Sequence, residues 1–398
     1  MRSTRLPWDQ PDNALSAIAR AVRGRRQILD LTESNPTQVG LPYPARALAT
    51  ALARVDVADY APAPLGLPSA RAAVAADYGR AGVVVDPERI VLTASSSESY
   101  GFLLKLACDP GDAVLIPEPS YPLCEYLARL EGVVPFGYRL AFDGIWHIDF
   151  ASVEEALAAA RLEGHRPRAI VVINPNNPTG SFVKREELGR LATLCGEAAL
   201  TVISDEVFGP YAVGPDPDRV ATLALEPLLA TAAPAFSLGG LSKSCGLPQL
   251  KLGWIVVGGR DASRSLTALE LIADTYLSVA TPVQAALGDL LALGAELRAA
   301  IAARVARNRA TLAAALPPSS ACTLLPSEGG WSAVLRVPAL RTDEAWAATL
   351  LTEDGVLTQP GYFFDLRGGT FLVLGLIPRP EIFATAVARL VARVDALR

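Results

Sequence analysis

The chain has 398 residues, 51% of them hydrophobic and 19% charged, with a formal net charge of −5. That composition demands a large buried core, excludes a disordered chain, and argues against a basic stripe for nucleic acid. The amino terminus, Met1-Arg-Ser-Thr-Arg-Leu-Pro-Trp-Asp-Gln, has no apolar signal core, and no apolar run approaches the roughly 18 residues of a membrane span. Five cysteines (Cys108, Cys124, Cys195, Cys245 and Cys322), widely spaced and without a CxxC, favour neither a disulfide framework nor a zinc site. The expected protein is cytoplasmic, with no membrane, metal or nucleic-acid partner.

Taken in chain order, helical periodicity after Pro-Asp-Asn predicts a helix over 13–26. Ile28-Leu-Asp-Leu reads as a short strand running into a turn at Glu33-Ser-Asn-Pro-Thr. Pro and Gly punctuate 35–68, so that segment is mostly loop with one helix near 45–54. From residue 69, helical stretches alternate with unbroken apolar runs: Ile90-Val-Leu, Ala113-Val-Leu-Ile, Ala169-Ile-Val-Val-Ile, Leu200-Thr-Val-Ile, Ala235-Phe-Ser-Leu and Leu252-Gly-Trp-Ile-Val-Val. Runs without polar alternation suit strands covered on both faces, and their alternation with helices predicts an α/β domain with a mainly parallel sheet. After Thr281-Pro the pattern is helical to about Leu316, with Gly294 a possible break. Residues 321–378 alternate short strands and turns. A terminal amphipathic helix places Phe383, Val387, Leu390, Val394 and Leu397 on one stripe, completing a second, smaller α/β domain.

Polar clusters follow the apolar runs: Ser95-Ser-Ser97, Glu118-Pro-Ser-Tyr121-Pro, Asn174-Pro-Asn-Asn177-Pro-Thr-Gly, Asp205-Glu-Val-Phe208 and Ser242-Lys243. In open α/β sheets the ligand crevice lies at the carboxyl ends of the strands, so these clusters are expected to converge. Of 36 basic side chains only four are lysine (Lys105, Lys184, Lys243 and Lys251), and two of these fall eight residues apart in one turn-forming segment. Arginine supplies charge but not an amine nucleophile, whereas a partly buried lysine loses its proton readily. Lys243 is therefore a Schiff-base candidate. The two histidines, His147 and His165, lie in polar, loop-like surroundings without partners at ligand spacing, so histidine triads and histidine metal sites are not expected.

Asn174-Pro-Asn-Asn-Pro-Thr-Gly180, Ser204-Asp-Glu-Val and Leu241-Ser-Lys-Ser, in that order and spacing, resemble the class I/II pyridoxal-phosphate aminotransferases of fold type I. The resemblance runs from about residue 28 to the end. It implies a large domain (46–289) with a mainly parallel, seven-stranded type of sheet covered by helices. The smaller α/β domain is built from both chain ends (1–45 and 290–398). It implies pyridoxal 5′-phosphate as cofactor, with Lys243 forming the internal aldimine and moving the substrate proton, and Asp205 pairing with the pyridinium nitrogen. Asn177 would bond the ring oxygen and Tyr121 stack on the ring, while Ser95, Ser96, Ser97 and Ser242 hold the phosphate. Tyr60 matches a family tyrosine that reaches the phosphate of the neighbouring subunit, which implies a homodimer with shared active sites.

Three positions depart from the family pattern. Lys251 stands where an arginine is usual eight residues after the lysine, and keeps the charge without the bidentate fork. Phe208 replaces a common tyrosine. Val373, in Thr370-Phe-Leu-Val-Leu-Gly, takes the position of the arginine that grips the substrate carboxylate. Arg367, upstream in Asp365-Leu-Arg-Gly-Gly, and Asn177 are then the expected carboxylate partners. The implied function is transfer of an amino group between an amino acid and a 2-oxo acid. A lyase, decarboxylase or acyl-condensing enzyme on the same fold is the alternative. A transcription regulator of this fold carries a basic DNA-binding domain first, and only about 27 residues precede the match here.

Overall fold

The computed structural model describes residues 3–6, 13–24, 26–53 and 60–396. The apolar runs make six consecutive strands, counted from one edge, of an eight-stranded sheet rather than the seven-stranded type expected. Its spatial order is Ile90–Thr93, Gly253–Gly259, Pro234–Gly240, Thr201–Asp205, Pro167–Ile173, Ala113–Glu118, Val134–Phe142, Trp146–Ile148. The last two were not legible as strands, because Val134–Phe142 mixes proline, glycine and arginine into its apolar pattern. His147 consequently sits on a short edge strand and not in a loop.

Successive strand residues point to opposite faces. Val202 faces one core with Ile170 and Leu115, and Ile203 faces another with Val171 and Val114. The first core is closed by helices Pro68–Arg80, Phe150–Leu162 and Arg185–Ala198. The second is closed by Ser96–Ala107, Leu123–Leu130 and Ala262–Tyr276. Burial on both sides is why these runs carry no polar alternation.

Direction decides what this sheet presents. Gly253–Gly259 runs antiparallel to both of its neighbours, and Trp146–Ile148 runs antiparallel to Val134–Phe142. The remaining neighbours pair in parallel. The reversal of Gly253–Gly259 puts its beginning, Lys251 and Leu252, at the carboxyl edge of the strands beside it.

A separate core draws on both chain ends. Leu15, Ala19 and Leu31 pack with Ile301, Leu335, Trp346, Phe383 and Leu390. Strand Leu29–Asp30 pairs in parallel with Val356–Leu357. Thr323–Leu324, Ser332–Val337, Thr370–Gly375 and Gln359–Pro360 form a four-stranded antiparallel sheet in that order. Helix Pro380–Asp395 buries Phe383, Val387, Leu390 and Val394; Leu397 of the expected stripe lies outside the described residues. Helix Leu287–Ala314 runs without a break at Gly294. A Cβ there would lie 2.6 Å from Cys245 Sγ, so the glycine serves close packing against the Lys243 segment. No helix among the described residues is long and apolar enough to cross a membrane.

Candidate active site

The polar clusters converge on a cavity of about 370 Å³ at the carboxyl edge of the large sheet. Ser95, Ser96, Ser97, Tyr121, Asn177, Asp205, Phe208, Ser242, Lys243 and Lys251 all line it. Most lie just beyond a strand, as the crevice rule predicts; Asp205 is the last residue of its strand, and Lys251 precedes the reversed strand Gly253–Gly259.

The anion-binding end is built by helix Ser96–Ala107. Ser95 is its N-cap, accepting the Glu98 N–H at 3.2 Å on Oγ. That leaves the first amides of a helix aimed outward, where the helix dipole favours negative charge. Strand Gly253–Gly259 approaches this terminus so closely that a Cβ on Gly253 would lie 2.9 Å from the Ser95 carbonyl carbon. Glycine at that position is thus a packing requirement, and Lys251, two residues before it, lines the same cavity as the three serines.

Asp205 ends strand Thr201–Asp205 on the floor of the cavity. Its Oδ2 accepts from the Tyr100 hydroxyl at 3.1 Å and its Oδ1 from the Val207 N–H at 3.2 Å. Burial pushes this carboxyl above its ordinary range, while those two donors and the Lys243 charge act in the opposite direction. Glu206, the next residue, is buried on the opposite side of the strand. It accepts from Ser204 Oγ at 2.8 Å, Ser237 Oγ at 2.7 Å and Leu223 N–H at 2.9 Å. Burial pushes it up to about 8, so near neutral pH it is mostly uncharged and does not compete with Asp205 for a cation.

Lys243 lies in the short helix Leu241–Ser244 that follows strand Pro234–Gly240. Its Nζ is 5.9 Å from the Phe208 ring centre and 5.5 Å from that of Trp331. Burial lowers its pKa, against the opposing charges of Asp205 and Glu33. A buried amine of this kind is nucleophilic nearer neutrality than a surface lysine. Tyr211 donates to the Lys243 carbonyl at 2.8 Å and fixes the backbone that carries the amine. On the far wall, Ser332 Oγ donates to Asn177 Oδ1 at 3.0 Å, and the Tyr121 N–H donates to the Asn177 carbonyl at 2.9 Å.

One expected residue, Arg367, lies elsewhere. Arg367 does not line the cavity; its guanidinium pairs with Glu118 at 2.9 Å and its side chain is 71% exposed. Val373 is buried against Trp146, Val334 and Phe364 and offers no charge. Tyr60 is 73% exposed and lines a different, smaller recess together with Leu67 and Leu277. Conversely, sequence reasoning missed Tyr100, Trp331, Ser332, Gln359 and Glu33, all cavity-lining. Tyr100 had a signal: it stands about one helical turn after Ser96 and Ser97, on the face those serines present. The others come from segments whose meeting depends on tertiary packing.

The family model for aminotransferases of class I and II matches residues 26–372. Among curated relatives, a valine–pyruvate aminotransferase of Mycobacterium tuberculosis is 30% identical over 371 residues, covering 89% of this chain and 88% of that protein. Human tyrosine aminotransferase is 26% identical over 275 residues, 67% of this chain and 58% of that one. Among solved structures, an alanine aminotransferase from Pyrococcus furiosus superposes with TM-score 0.84 at 22% identity over the whole of both chains. A methionine aminotransferase from Escherichia coli superposes with TM-score 0.81 at 23% identity, covering 98% and 99% of the two chains. At such identities the superpositions speak for the shared fold.

Proposed function

Because the chain belongs to the class I and II aminotransferases and is an aminotransferase, we propose that it works on pyridoxal 5′-phosphate held covalently by Lys243. In this reading it moves an amino group between an amino acid and a 2-oxo acid. One observation carries the reading. A lysine amine whose pKa burial lowers and an aspartate carboxyl whose pKa burial raises share one cavity with an outward-facing helix N-terminus.

This donor set fits the cofactor part by part. The Ser96 and Ser97 amides, the hydroxyls of Ser95 and Ser242, and the Lys251 ammonium would hold the phosphate. Asp205, oriented by Tyr100 and the Val207 amide, would hold the ring nitrogen. Asn177 would bond the ring oxygen, with Tyr121 and Phe208 against the ring. When bound, pyridoxal phosphate supplies a carbonyl carbon for the amine and a ring that draws electrons from Cα. With the cofactor in place, Lys243 Nζ would be the group that holds it covalently and, once displaced by the substrate amine, would carry the substrate Cα proton. In a chain with two histidines, neither lining this cavity, Lys243 is the proton carrier at hand. Phe208 and Trp331 flank the amine with apolar surface and exclude water from it.

We take residues 46–289 as the cofactor-binding domain and 1–45 with 290–398 as the smaller one. We also infer a homodimer, in which Tyr60 of the partner subunit reaches the phosphate; its exposure and its place in a recess other than this chain's own cavity support that reading. The five free cysteines, most of them buried, support a reducing, cytoplasmic setting.

The test is a half-reaction. Loaded enzyme mixed with amino acids alone should yield pyridoxamine phosphate and one 2-oxo acid per cofactor converted. Release of CO₂ or loss of a side chain without that product would favour the decarboxylase or lyase alternative.

A second expectation concerns the phosphate. Lys251 has a left-handed backbone (φ 49°) just before the reversed strand and lines the same cavity as the serines, which supports a single ammonium acting at the phosphate. Lys251→Ala should weaken cofactor affinity at least about tenfold, whereas Lys251→Arg, which keeps the charge and adds a fork, should stay within about threefold. Equilibrium titration of apoenzyme with cofactor measures both. Unchanged affinity in Lys251→Ala would show that the serines and helix terminus suffice.

A further inference from the structure

The charged groups lining the cavity divide by what they face. Asp205, Lys243 and Lys251 are engaged in the reading above, and the inference that follows rests on that reading. Glu33 is the one charge left over among the described lining residues. It lies in Thr32–Ser34, between strand Leu29–Asp30 and the turn Pro36–Gln38, and all three residues of that segment line the cavity. Its Oε1 accepts the Asn35 N–H at 2.7 Å, which holds the side chain in place. No cation stands within ion-pair distance of it among the described residues, yet its charge is felt at the Lys243 amine.

The wall around Glu33 is otherwise neutral. The Gly375 N–H donates to the Leu31 carbonyl at 2.6 Å, and a Cβ on Gly375 would lie 3.0 Å from the Glu33 carbonyl oxygen. The segment is therefore seated against the end of strand Thr370–Gly375. Two residues back on the same face is Val373, buried among apolar side chains. Its cross-strand neighbour Gln359, and Ser332 opposite Gly375, carry no charge. No arginine lines this cavity among the described residues. A wall bearing one carboxylate and no cation repels a second anion and attracts a cation, in a space where water screens less than in bulk.

We propose that Glu33 is a specificity-determining residue that reads positive charge on the amino donor. The substrate class is an amino compound with a second ammonium or guanidinium group away from the transferred nitrogen. A basic amino acid and a diamine share that chemistry. Dicarboxylic amino acids are disfavoured by the same charge, so that one residue provides both attraction and exclusion.

The test is calorimetric binding to the loaded enzyme of analogues methylated at Cα, which have no Cα proton and are not turned over. In wild type, 2-methylornithine should bind at least about tenfold tighter than 2-methylaspartate. Glu33→Gln keeps the acceptor for the Asn35 N–H and removes the charge; it should compress that ratio to within about threefold at unchanged cofactor content. Glu33→Lys should invert the order. 2,5-Diamino-2,5-dimethylhexane, a diamine with no Cα proton, identifies the source: binding as tight as 2-methylornithine assigns diamines, and binding at least about tenfold weaker assigns basic amino acids, either result sustaining the role of Glu33. Wild type binding 2-methylaspartate as tightly as 2-methylornithine, or a preference unchanged in Glu33→Gln, overturns the proposal. Failure of wild type to capture pyridoxal phosphate covalently overturns the cofactor reading instead, and intact capture without charge preference overturns this inference alone.

Discussion

Lys243→Ala should abolish amino transfer, by at least ~10³-fold, because it removes both the attacking amine and the group that shuttles the Cα proton. Lys105, Lys184 and Lys251 cannot substitute. Lys105 pairs with Glu131 at 2.6 Å, Lys184 is held by Glu328 and Asp216, and neither lines the cavity. Lys251 lines the same cavity as the serines and is assigned to the phosphate in the proposed reading. Borohydride reduction of the loaded wild type followed by peptide mapping should place the pyridoxyl group on Lys243; a label on Lys251 would overturn the assignment. Cofactor capture by wild type should slow as pH falls through the Lys243 pKa, since the protonated amine cannot attack. Burial moves that loss to lower pH than an ordinary lysine would show. Added small amines should restore part of the activity of Lys243→Ala, which an unfolded variant would not permit.

Asp205→Asn tests the other buried group. The amide keeps the shape, and its single oxygen can accept from the Val207 N–H while its NH2 turns to the Tyr100 hydroxyl oxygen, but it brings no negative charge to the ring nitrogen. Losing a preorganised charge from a water-poor site costs about 10²–10³-fold in kcat, and cofactor affinity should fall with it. Glu206 cannot take over, because it points away into its own ring of donors and is mostly uncharged near neutrality. Steady-state kcat and cofactor titration measure both effects. Wild-type values for Asp205→Asn would mean that the carboxylate serves the fold and not the reaction.

Sequence and fold agree best where physics is local. An apolar run flanked by turn residues announces a buried strand, and a polar cluster after it announces a crevice residue. Ser95 to Ser97, Tyr121, Asn177, Asp205 and Lys243 were legible for that reason, and all line one cavity. Gly294 misled because a glycine inside a helical pattern reads as a break; its role appears only once Cys245 is seen against it. Arg367 misled because nearness along the chain to Val373 was taken for nearness in space. The turn that carries it points the guanidinium to Glu118 and solvent.

By itself, the sequence determined the class of fold, six of the eight strands of the large sheet with the helices between them, and the residues at those strand ends. These follow from hydrophobic period and turn chemistry, which act over a few residues. The tertiary structure alone decided three things. The reversed direction of Gly253–Gly259 carries Lys251 to the edge where the serines lie. Helix Ser96–Ala107 swings Tyr100 onto Asp205, 105 positions further along the chain. The packing of Leu31 and Glu33 against Gly375 brings an amino-terminal carboxylate to a wall made by the carboxy-terminal sheet. Each is a contact between segments far apart in sequence, made by burying surfaces whose partners no local pattern names.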